Sequence, residues 1–122
     1  MAYLSVALGG AFGAVLRYLI TELVPQVKSG FPYATLIANL VGALLLGAFY
    51  VLIVERSGAT GYWRELLMIG FCGGLTTFSA FSMDALQLWL SGHIQTAILY
   101  IVLSVVFCIV ATLISISLLR LL

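Results

Sequence analysis

Four groups of side chains in this chain could handle an ion or a proton, and all of them interrupt apolar sequence. The first is Arg17, which shares a helical face with Gly10 and Gly13. Arginine at the centre of a bilayer costs about 2.5–3.5 kcal/mol to insert. Arg17 therefore either snorkels to the nearer surface or supplies a fixed positive charge at the mouth of an anion path. The second group is Thr35, Asn39 and Gly42 on one face. An asparagine amide in mid-span can glue two helices, and it can equally offer N–H donors to an anion stripped of water. The third is the string Gly70-Phe71-Cys72-Gly73-Gly74-Leu75-Thr76-Thr77-Phe78-Ser79-Ala80-Phe81-Ser82. Its paired glycines and threonines are poor helix material. A break there would free backbone carbonyls, which suit a small hard cation, and amide donors, which suit an anion. Phe78 and Phe81 point the same way, either to pack or to present their positive ring edges to a small anion. The fourth is Tyr100, Ser104, Cys108, Thr112 and Ser115, at spacings of 4, 4, 4 and 3. These polar groups either bond back to their own helix or form a track of rotating donors.

Two carboxylates, Glu22 and Asp84, lie in or near these runs and read as helix-end groups at the membrane interface. Neither falls on the fourth stripe, which argues against proton coupling along it. His93 falls in a turn, and no nucleophile–base–acid set can be assembled, so an enzyme has no support in the sequence. Cys72 and Cys108, 36 residues apart within apolar runs, read as small buried hydrophobes.

The elements that must carry these residues follow from composition. Apolar residues make up 64 % of the 122-residue chain and charged residues 7 %. Soluble domains run at roughly 45–50 % apolar and about 25 % charged. So few charges cannot cover the surface of a soluble protein. With a net charge of +1 and no basic block, nucleic acid is excluded as a partner. Four stretches, 2–24, 33–54, 65–90 and 95–122, reach the length of about 20 apolar residues that a bilayer requires. Pro25 and Lys28-Ser29-Gly30-Phe31-Pro32 close the first, 55–61 the second, and Ser91-Gly92-His93 the third. Strand alternation is absent, and the first stretch lacks the positive flank of a cleaved signal. The expected fold is an all-α membrane protein, one domain of four transmembrane helices over residues 1–122 with the third broken mid-span. Trp63 and Trp89 fall at span ends, where aromatic belts belong.

Orientation follows Lys and Arg. Arg56, Arg64 and Arg120 fall on one side, Lys28 on the other, with Arg17 added there if it snorkels. So weak a bias lets the chain insert both ways, and opposite copies could pair about an axis in the membrane plane.

The strings Gly9-Gly10-Ala11-Phe12-Gly13-Ala14 with Arg17-Tyr18, Thr35-Leu36-Ile37-Ala38-Asn39-Leu40-Val41-Gly42, and Gly70 through Phe81 together resemble the Fluc (CrcB) fluoride channels, in the same order and over three of four helices. The resemblance implies an antiparallel, dual-topology homodimer in the bacterial inner membrane, with two fluoride pores and a central structural sodium ion. Position by position, it implies that the Gly73 and Thr76 carbonyls hold the sodium. It implies that Phe78, Phe81 and Thr77 line the pores, that Asn39 donates to fluoride, and that Arg17 sits towards the vestibule. On the fourth helix it suggests Ser104 and Tyr100 for the track, with Cys108 a departure from an expected hydroxyl or small residue. The implied activity is passive, selective fluoride export that protects the cytoplasm. Two other classes fit the composition: a proton-driven exporter of cationic drugs, for which Asp84 is the candidate carboxylate, and an assembly subunit without transport of its own.

Overall fold

A computed structural model describes residues 1–25, 30–58 and 61–122. Lys28 and Ser29 of the first connection, and Ala59 and Thr60 of the second, lie outside the described residues. The described chain is helical throughout, with no strand. Helix α1 is Ala2–Leu23 and α2 is Tyr33–Phe49, which continues into a π-helical segment, Tyr50–Arg56. A second π-helical segment, Arg64–Cys72, tightens into the single turn α3, Gly73–Leu75; α4 (Phe78–Leu90) and α5 (Ile94–Leu121) follow. The stretches Ala2–Leu23, Tyr33–Arg56, Arg64–Leu90 and Ile94–Leu121 are each long and apolar enough to cross a membrane.

The π-helical turns flank the second connection on both sides, and the widened pitch is explicit in the Ser57 N–H, which donates to Leu52 O, five residues back, at 3.3 Å. Such turns are rare, usually single, and concentrated near functional sites. Nothing in the apolar periodicity announces them.

Packing runs in two parallel pairs. Helix α1 lies along Arg64–Leu75 with the two backbones in direct contact. A Cβ at Gly9 would overlap the Leu66 carbonyl oxygen, and one at Gly13 the Phe71 carbonyl oxygen. From the other side, a Cβ at Gly70 would come within 2.8 Å of Val6 O. The glycines therefore serve close packing, in the manner of small-xxx-small helix pairs. Helix α2 lies along α5 and is bonded to it by hydroxyls: Thr112 Oγ1 donates to Ala43 O at 3.2 Å and Ser115 Oγ to Leu44 O at 2.8 Å. The pair is clasped at its end, where Arg120 forks onto the Glu55 carboxylate and Arg56 donates to Leu119 O.

The third stretch changes partner halfway. Its first part packs on α1 and its second part, α4, packs antiparallel against α5. There Phe81, Ala85, Leu88, Ala97 and Tyr100 form the buried cluster, joined by Phe31 and Leu36. The exchange happens at Thr76 and Thr77, both extended (ψ 154° and 120°) between Leu75 and Phe78. The outward faces are apolar, with Phe12 at 69 % and Ile109 at 56 % exposure. A continuous wall of this kind belongs against lipid.

Candidate functional site

The chemistry gathers around Thr76 and Thr77. Leaving helical geometry there strands backbone groups on both sides, and neighbouring side chains collect them. Thr77 N–H donates to Asn39 Oδ1 at 2.7 Å, while Asn39 Nδ2 donates to Thr77 O at 3.2 Å. One amide thus grips both polar groups of one residue, which fixes which way the amide faces. Thr77 Oγ1 caps α4 by accepting from Ala80 N–H at 3.1 Å and lies 3.1 Å from Ser79 Oγ. The last backbone bond of α3 runs from Thr76 N–H to Cys72 O at 2.9 Å, and Thr76 Oγ1 also donates to that carbonyl.

The break leaves the carbonyls of Gly73, Gly74, Leu75 and Thr76 without the helical donors four residues on, and the pair that the resemblance implies, Gly73 and Thr76, is among them. In a continuous helix Gly73 O would accept from Thr77 N–H, and Thr76 O from Ala80 N–H. Both donors are engaged by side chains instead. Gly73 and Thr76 therefore present hard carbonyl oxygens without their helical partners, the donor chemistry a sodium ion takes. Gly73 borders the open groove, with no atom within 4 Å of where a Cβ would stand.

That groove, about 390 Å³, runs between α2, the third stretch and α5 and is lined by Asn39, Gly73, Thr76, Thr77, Phe78 and Phe81, with Ser104 and Cys108 across from them. The two rings stand 5.3 Å apart, tilted by 43°, and differ in setting: Phe78 is 79 % exposed, whereas Phe81 is buried against Tyr100. Ser104 is buried on α5, one turn from Tyr100, and its hydroxyl borders that of Tyr100. Both cysteines line the same groove, Cys72 buried and Cys108 partly so.

Two further clefts follow, the first bordering the groove and the second bordering the first. One, of about 240 Å³, is lined by Arg17, Tyr18, Thr21, Thr35 and Thr77, so Arg17 and the groove share Thr77. The other, of about 500 Å³, opens beside Pro25, Gly30, Thr35, Asp84, Ser91 and His93, and shares Thr21 and Thr35 with the Arg17 cleft.

Several side chains differ from the sequence expectation in location. Tyr100 is fully buried and does not line the groove; its OH approaches Asp84 Oδ2 at 3.4 Å behind the Phe81 ring. Asp84 is not a helix-end group. It lies mid-way along α4, half-buried, and accepts from Thr35 Oγ1 at 2.6 Å. A carboxyl group inside the bundle needs hydrogen-bond partners of this kind, and the hydroxyls of Thr35 and Tyr100 on two other helices supply them. Those hydroxyls were the available signal, since a lone intramembrane Asp needs partners and few candidates exist. Ser115 leaves the track and bonds an α2 carbonyl, whereas Thr112 still lines the groove, its hydroxyl shared between Ala43 O on α2 and Cys108 O on its own helix. Glu22 is exposed near the end of α1, as a helix-end group should be.

The family model described as "CrcB-like protein, Camphor Resistance (CrcB)" matches residues 4–116. The chain belongs to the CrcB-like family. Among its relatives, the fluoride-specific ion channel FluC of Saccharophagus degradans is 48 % identical over 116 residues, covering 95 % of this chain and 87 % of that protein. The protein of the same name from Hahella chejuensis is 46 % identical over 117 residues, covering 95 % and 92 %. That from Flavobacterium psychrophilum is 45 % identical over 108 residues, covering 88 % and 87 %. Every element bordering the groove lies inside the span that the CrcB-like model matches, apart from the last turns of α5.

Proposed function

We propose that this CrcB-like protein is a fluoride-selective ion channel that lets fluoride leave the cytoplasm down its gradient. The observation that carries the proposal is the set of relatives, named fluoride-specific ion channels and alike over nearly the whole chain. The geometry supports it. Fluoride is small and strongly hydrated, so a pore admits it only where donors replace water, and releases it only where none of them is strong enough to trap it. The groove offers such donors in modest strength: the second N–H of Asn39, the hydroxyl of Ser104, the Thr77 hydroxyl and the ring edges of Phe78 and Phe81. Arg17, in the adjoining cleft, supplies the positive field that draws an anion towards them. Tyr100 acts from behind, holding the Phe81 ring and the Asp84 carboxylate.

The working unit in this reading is an antiparallel, dual-topology homodimer in the bacterial inner membrane, with two pores and the third helix of each copy broken at mid-membrane. The exposed Phe78 ring and open Gly73 face then meet a second copy. A sodium ion would be held by the Gly73 and Thr76 carbonyls of both copies, and when bound it supplies a fixed positive centre that locks the two together. The ion is structural and takes no part in conduction.

The test is fluoride efflux from liposomes carrying the purified protein, with chloride measured in parallel. Rapid fluoride loss without chloride loss, needing a potassium shunt and no proton gradient, is the expected result; absence of flux from folded protein would overturn the channel.

The Asp84 carboxylate inside the bundle favours one competing reading, a proton-coupled exporter of cations. Such an exporter would lose all transport in Asp84→Asn. A channel keeps proton-independent fluoride efflux in this variant, because Thr35 Oγ1 still finds an acceptor in the amide.

A further inference from the structure

The Gly73 and Thr76 carbonyls are available because side chains elsewhere have removed their amide partners, and those side chains can be identified. Asn39 Oδ1 takes the Thr77 N–H at 2.7 Å, and Thr77 Oγ1 takes the Ala80 N–H at 3.1 Å. These are the two amides that helix geometry would return to Gly73 O and Thr76 O. We propose that Asn39 and Thr77 act as positioning residues for the cation site, setting its affinity by holding those two N–H groups away from the coordinating carbonyls. The inference rests on the sodium reading above and assigns to the Asn39 amide a task separate from donating to fluoride.

Thr77 is buried, at 9 % exposure, so its N–H cannot turn to water when its acceptor is lost. A buried donor without a partner is expensive, and the nearest replacement along the chain is the carbonyl four residues back, on Gly73. Without Asn39 the break relaxes towards helix, and a cation must displace an internal hydrogen bond before it binds. The same holds at Ala80 and Thr76 when the Thr77 hydroxyl is removed. In the intact chain the grip is double, because Asn39 Nδ2 also holds Thr77 O at 3.2 Å, which keeps Thr77 extended. Sodium at concentration c, bound only to the folded protein, stabilises it by RT ln(1 + c/Kd). The concentration at which the gain reaches RT ln 2, the sodium midpoint, therefore equals Kd and is read from melting curves without any flux measurement.

The experiment measures the melting temperature of purified protein in detergent against sodium concentration, with N-methylglucamine holding ionic strength constant. Wild type, Asn39→Ala, Thr77→Val and Thr77→Ser are compared. Asn39→Ala and Thr77→Val are expected to raise the sodium midpoint at least tenfold. Thr77→Ser, which keeps the hydroxyl, should stay within threefold of wild type. Midpoints within threefold of wild type in both Asn39→Ala and Thr77→Val would overturn the inference. So would a Thr77→Ser shift as large as that of Thr77→Val, since the hydroxyl would then not be the agent. If Asn39→Ala does not fold, the Thr77 pair decides alone. A wild-type melting temperature indifferent to sodium would overturn the sodium reading itself and this inference with it, leaving fluoride efflux to be judged separately.

Discussion

Ser104 and Phe78 line the groove in opposite settings, one buried and the other exposed. The Ser104 hydroxyl is buried at the wall of the groove, beside the Tyr100 hydroxyl. Ser104→Ala is expected to keep the protein folded while fluoride efflux falls several-fold. A variant with wild-type efflux would remove Ser104 from the path. Phe78, at 79 % exposure, contributes little to the packing of its own chain. Phe78→Ile should keep the protein assembled on size-exclusion chromatography and cut efflux at least tenfold, and undiminished flux would show that the ring edge plays no part. Asn39 illustrates what sequence can and cannot disclose at this scale. Its presence in an apolar run marks it as important. Its partner, however, is the backbone of Thr77, and backbone groups carry no sequence signature. Tyr100 was hidden for a different reason: its spacing placed it on the polar stripe of α5, but the carboxylate that engages its hydroxyl lies on another helix.

Between α1 and Arg64–Leu75 the fit is set by missing side chains. An added Cβ at Gly13 would overlap the Phe71 carbonyl and stand 2.7 Å from Leu75 N, and neither backbone atom can move aside. Overpacking of this kind typically costs about 1–3 kcal/mol. Gly13→Val should lower the melting temperature by several degrees and reduce efflux by displacing α3, whereas Gly73→Ala, with open space at its Cβ, should melt like wild type in the monomeric state. Loss of stability in the second and not the first would invert this account. The four apolar spans and the glycine face were legible, because length, apolarity and small-residue spacing act locally. The π-helical segments were not, since a change from α to π pitch alters the partner of each N–H without changing which residues are apolar. The bonding of Thr112 and Ser115 to α2 was equally hidden, as it depends on how closely Gly47 lets α5 approach.

For the molecule as a whole, the balance of charge is the telling quantity. Arg56, Arg64 and Arg120 on one side stand against Lys28 on the other, with Arg17 added there if it snorkels, so the Lys/Arg bias that would anchor one end in one compartment is weak. A cysteine introduced in place of exposed Tyr62, with Cys72 and Cys108 replaced, should react with an impermeant maleimide on intact cells to about half the extent reached after lysis. Labelling near zero or near completion would establish a single orientation and rule out pairing of opposite copies.

The alternation of packing partners also governs how the chain is made. Helix α1 completes its glycine face against Arg64–Leu75, and α2 completes its hydroxyl contacts against α5, so each helix waits for the span after next. Gly13 meets Phe71, which at ordinary synthesis speeds of about 5–20 residues per second leaves the ribosome roughly 3–12 s later. During that interval α1 sits in the membrane with its close-packing surface uncovered, able to engage the glycine face of another nascent chain. Interleaving thus makes biogenesis the stage at which wrong pairing between copies has its opportunity, and rapid arrival of the third span is what ends it.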